Sequence, residues 1–135
     1  MDARFQKSAG SYGLLANGTS PRWDVAIDES LDREGEWSAE IEGPNVYLVL
    51  RLRDLEVIAE AFRFLEASAT EGGTFSLGKF GAASVLLEWD NEPPPRCFLV
   101  IGPRARSTMR LSLDGEDVRM LRDALRQVAA DLPPK

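Results

Sequence analysis

Histidine is absent from this chain of 135 residues, and cysteine occurs once, at Cys97. The first absence removes Ser-His and Cys-His nucleophile pairs, imidazole metal sites and the commonest general base near neutral pH. The second removes an internal disulfide and every zinc or iron–sulfur site built on paired thiols. Cys97 lies in the apolar run Arg96-Cys97-Phe98-Leu99-Val100-Ile101, the setting of a buried structural thiol. No stretch of about 18 apolar residues is present to span a bilayer. The first twenty residues hold no continuous apolar segment of the secretory kind. Gly72-Gly73, Gly78 and Gly81 lack the spacing and the lysine of a phosphate-cradling loop. These absences lead to the expectation of a cytoplasmic, non-catalytic protein with no cofactor, no catalytic residue, no metal site and no membrane contact. The Asn17-Gly18-Thr19 sequon then reads as turn chemistry, with Asn17-Gly18 closing a hairpin.

The composition that remains is globular, with 44% hydrophobic and 28% charged residues, and the length suits one domain. A formal net charge of -6 weighs against duplex nucleic acid as a partner. That charge is unevenly spread. Eight acids and Arg33 alone fall between Trp23 and Glu42, whereas Pro93 to Leu113 carries Arg96, Arg104, Arg106 and Arg110 and no acid.

Residues 1–10 are small and polar, and are expected to be loosely held. Alternating apolar and polar residues then predict strands at Tyr12–Ala16, around Trp23-Val25-Ile27, from Trp37 to Glu42 and over Val46–Leu52. A helix is predicted from Asp54 to Ser68, with Asp54 as N-cap and Leu55, Ile58, Ala59, Phe62 and Leu65 on one stripe. Four more strands are predicted at Thr74–Leu77, Ser84–Trp89, Cys97–Ile101 and Thr108–Leu113, broken by Gly78–Gly81, the Pro93-Pro94-Pro95 connector and Gly102-Pro103. A final helix from Gly115 to Asp131, capped by Asp114, turns Val118, Leu121, Leu125, Val128 and Leu132 inward.

The fold class is therefore α+β: antiparallel sheets of about seven to eight short strands with two helices, in the order strands-helix-strands-helix. Residues 11–132 form a single domain. Its halves, 11–70 and 71–132, repeat one pattern, which either an internal duplication or strand-then-helix periodicity alone would produce.

Two clusters could carry recognition. Glu36, Glu40 and Glu42 sit in the acidic stretch, where alternation with inward aromatics marks a solvated strand face rather than a cation site. Such a face would complement a basic protein surface. Arg104, Arg106 and Arg110 form the rival cluster, suited to single-stranded DNA or RNA if Trp23, Trp37 or Trp89 were exposed for stacking. Core packing is the competing role for all three tryptophans. An exposed sheet edge would also allow a homodimer.

The run Leu50-Arg51-Leu52-Arg53-Asp54-Leu55, its helix, the Gly-Gly break, the later strands, and Leu111-Ser112-Leu113-Asp114 with the final helix resemble small bacterial WapI-type immunity proteins over about residues 36 to 132. That resemblance implies a non-catalytic partner of a toxin and transfers no functional residue. The architecture, four strands and a helix taken twice, is also similar to Whirly and PC4-like binders of single-stranded nucleic acid.

Overall fold

In the computed structural model, residues 12–30, 35–67, 72–92, 94–104 and 107–132 are described. Alternation sets the strands: β1 (Tyr12–Thr19), β2 (Asp24–Ser30), β3 (Trp37–Gly43), β4 (Val46–Leu52), β5 (Gly73–Phe80), β6 (Ala83–Asp90), β7 (Arg96–Arg104) and β8 (Ser107–Leu113). Helix α1 (Glu56–Ala67) separates β4 from β5, and α2 (Gly115–Asp131) follows β8. All eight strands lie in sequence order in one antiparallel sheet. The α+β class and the strands-helix-strands-helix order agree with the sequence pattern. The loosely held segment expected at residues 1–10 lies outside the described residues.

One sheet face and both helices enclose a single core. β4 shows how: Leu48, Leu50 and Leu52 are buried while Tyr47, Val49 and Arg51 between them are exposed. Val25 and Ile27, Ala39 and Ile41, Val85 and Leu87, and Cys97 and Leu99 supply the same face from β2, β3, β6 and β7. From α1 come Val57, Ile58, Ala61 and Leu65, so the buried stripe is centred on Val57 and Ala61 rather than on Ala59, which is half-buried. From α2 come Val118, Leu121, Ala124, Leu125 and Val128.

The helices are exchanged between the halves. α2, which follows β8, packs chiefly on β1, β2 and α1, and α1 reaches β5 and α2. Phe64 of α1 stacks on Phe75 of β5 with ring centroids 5.7 Å apart. The N-terminal turn of α2 is fixed by a reciprocal capping box between Asp114 and Asp117. Hydrogen bonding to the Asp117 backbone N–H holds the Asp114 carboxyl below its ordinary pKa.

The seam between the halves is narrow, because β4 and β5 pair only at Arg51 and Lys79. Gly78 permits even this much: a Cβ there would lie 2.2 Å from the Arg51 carbonyl oxygen.

Three turn expectations need correction. Asn17-Gly18 is not a hairpin turn; both residues are within β1, paired with Ala26 and Val25. Gly18 is required by α2 instead, since a Cβ would stand 2.1 Å from the Ala124 carbonyl oxygen. Gly78 likewise continues β5 past a bulge, with strand pairing resuming through Phe80. Gly102 and Pro103 continue β7, with a register shift between Ile101 and Arg104. In each case a glycine that looks like a chain break serves close packing or a bulge inside a strand.

Candidate functional site

The sheet face turned away from the helices is where any recognition by strand side chains must occur. Strand register defines its rows, because directly opposed residues share a face. One row joins Thr19, Asp24, Glu42 and Tyr47; the next joins Asn17, Ala26, Glu40 and Val49. A third runs Leu14, Asp28, Ser38, Arg51, Lys79, Ser84 and Gly102, crossing the seam. Asp24, Asp28, Glu40 and Glu42 therefore share one face, Asp24 opposite Glu42 and Glu40 between the rows of Asp24 and Asp28, whereas Glu29 falls in the row of Trp37 on the other face.

The three acids named from the sequence differ in their surroundings. Glu42 is exposed and Glu36, just before β3, is half-buried. The Glu36 carbonyl accepts a hydrogen bond from the Ser30 N–H at 3.0 Å, tying the start of β3 to the end of β2. Glu40 is only 5% exposed and accepts a short hydrogen bond from the Tyr47 hydroxyl. A buried carboxylate with a fixed donor supports the face rather than meeting a partner head-on. Of the three, Glu42 is thus exposed, Glu36 partly so and Glu40 buried. Among the described residues no group of three or more acids could hold a metal ion.

Beside this patch lies an open cleft of about 510 Å³, lined by Ser20, Pro21, Arg22, Asp24, Glu42, Gly43 and Pro44. Its shape depends on Trp23, which is fully buried and gripped from two sides. Gly43 leaves room for the indole, where a Cβ would come within 2.6 Å of the ring. Trp23 Nε1 donates to Asp117 Oδ1 at 3.0 Å, and Arg22 Nη2 reaches the same oxygen at 3.1 Å. The acidic patch is thereby anchored to the first turn of α2, a connection no local sequence pattern signals.

The rival cluster is less coherent. Arg106 and the side chain of Arg104 lie outside the described residues; the Arg104 backbone ends β7. Arg110 forms an ion pair with Glu88, and its guanidinium carbon lies 4.1 Å from the Phe98 ring centroid. Arg96 stands over the same ring at 5.8 Å. Trp23 is core, and Trp37 and Trp89 are half-buried and pack against it, so the indoles serve packing rather than an open stacking platform. Cys97 is buried, which pushes its thiol up to about 12 and keeps it protonated at neutral pH. Among the described residues, no helix is long and apolar enough to cross a membrane.

Compared with protein-family models, with curated proteins and with solved structures, the chain matches none.

Proposed function

We propose that the chain is a non-catalytic protein-interaction module whose β2–β3 face receives a basic surface of another protein, in the manner of an immunity protein binding its toxin. The observation that carries this reading is the register that sets Asp24 directly opposite Glu42 on the outward face, backed by Asp28 and Glu40, which are themselves buried. Several carboxylates on one rigid sheet steer a basic partner at long range and fix its orientation on contact. Tyr47 and Val49, 44% and 38% exposed on the adjacent strand, add an apolar contact that charge alone would not supply. The strand-and-helix resemblance to WapI-type immunity proteins agrees with this use.

The decisive test is capture of a basic partner from cell extract by the immobilised domain, followed by charge reversal. Glu36→Lys with Glu42→Lys should abolish capture while leaving the melting transition in place. Glu40 is left intact, because reversing a buried, hydrogen-bonded carboxylate would perturb the fold itself. Capture undiminished by the double reversal, or insensitive to salt, would remove the β2–β3 face from consideration. The oligonucleotide alternative through Arg104, Arg106 and Arg110 is decided by titration at low and moderate salt; absence of binding at low salt ends it.

A further inference from the structure

We propose that the seam joining β4 to β5 is an anion site that takes a phosphate group, free or esterified. The only strand pairing across the seam sets Arg51 directly opposite Lys79, two like charges on one face. Directly opposed like charges destabilise a sheet, so the arrangement needs another source of support. Among the described residues neither cation is paired with a carboxylate. Arg51 is exposed and makes no ion pair among the described residues. Lys79 Nζ donates to the Ser84 hydroxyl at 2.9 Å, a neutral acceptor. Arg22, Arg53, Arg110, Arg119 and Arg126, by contrast, each have a carboxylate within 4 Å.

The two cations line an open cleft of about 500 Å³ with Ser38, Val49, Gly81 and Ala82. Ser38 stands next to Arg51 in the same cross-strand row and adds a hydroxyl donor. Gly81 takes a left-handed turn with φ +60°, and a Cβ there would have nothing within 4 Å, so the cleft is open above the turn. A phosphate suits this setting better than a carboxylate. Its two negative charges match two cations, and its several oxygens can be shared between a planar guanidinium and an ammonium. The cleft is larger than a phosphate alone and has room for the group esterified to it. An anion held by both side chains would bridge the halves where the backbone does so only once.

The test is thermal melting of the whole chain against inorganic phosphate, with sodium chloride at matched ionic strength as control. A saturable rise in Tm with phosphate and none with chloride is expected. Arg51→Gln and Lys79→Gln should each weaken the response at least about tenfold, the loss of one charge-assisted contact. Without phosphate, both variants should melt no lower than the parent, because the repulsion is gone. A response kept in both variants, lost in Arg110→Gln instead, or never saturating would overturn the proposal. A short single-stranded oligothymidylate forms the second arm. Tighter binding than phosphate, lost in the same two variants, identifies a nucleic-acid backbone as the source; phosphate binding alone identifies a small phosphate compound. Glu42→Lys should leave either response intact, which separates this site from the β2–β3 face.

Discussion

The first four strands and the last four follow one pattern, yet they are charged differently. Residues 12–67 carry 12 acids against 5 arginines, whereas residues 72–132 carry 8 acids and 8 basic residues. Both halves bury the same kind of alternating aliphatic face, so the fold depends on the inward positions and tolerates either charge outside. The difference teaches where to look for function: in the outward rows, which the architecture leaves free to vary. It also shows that the halves are not independent. Each contributes its helix to packing that involves the other, while the strands between them share a single ladder pair.

The most severe way to break the comparison is to separate its terms. Residues 12–67 and 72–132 made as individual chains should each lack cooperative unfolding, by circular dichroism and urea titration, because each would expose its helix-covered face. Mixing them should restore some helix signal. Next in size is Gly18→Val, which drives a branched side chain into the α2 backbone; a loss of about 3 kcal/mol or more in urea unfolding is expected. Gly78→Ala should cost less, because the seam it disturbs is one pair wide and the exchanged helices still hold the halves. A larger loss at Gly78 than at Gly18 would make the sheet, rather than the helices, the main joint.

Within the acidic half, Glu40→Lys should destabilise by about 2–4 kcal/mol, since it removes the Tyr47 acceptor and buries an unpaired charge. Glu42→Lys, at an exposed position, should stay within about 0.5 kcal/mol. The remaining prediction concerns pH. Cys97 is held near 12 in the fold against an ordinary 9.0. The unfolded chain therefore loses this proton first, so stability is intact below pH 9 and declines as pH rises toward 12. Unfolding free energies from urea titrations between pH 8 and 10.5 should fall by up to about 1.4 kcal/mol per pH unit in the upper part of that range, and Cys97→Ala should flatten the decline.

Inward alternation was legible in the sequence: β4 and α2 begin and end where their patterns do, and Asp114 caps α2 as its position implies. Glycine was misread where contact with a distant element decides its role, as at Gly18 against Ala124 and Gly78 against Arg51. Such contacts follow from tertiary packing and leave no local trace. The acid-rich stretch was visible as composition, but the burial of Glu40 depends on Tyr47, a strand away. The cation pair at the seam was hidden for the same reason. Alternation along β4 puts Arg51 outward, yet nothing near it in the chain announces Lys79 as its neighbour.

Asp117 has a consequence for synthesis. One carboxylate accepts from the Asp114 N–H, from the Trp23 indole and from Arg22, so α2 is tied to the connection entering β2 across 94 positions. A chain leaving the ribosome presents β1 to β4 long before α2 exists to cover them. The early strands must then wait with Trp23 and their aliphatic face in water, exposed to chaperones or to other nascent chains. Covering β1 and β2 requires α2, which brings Leu121, Leu125 and Val128 to the core.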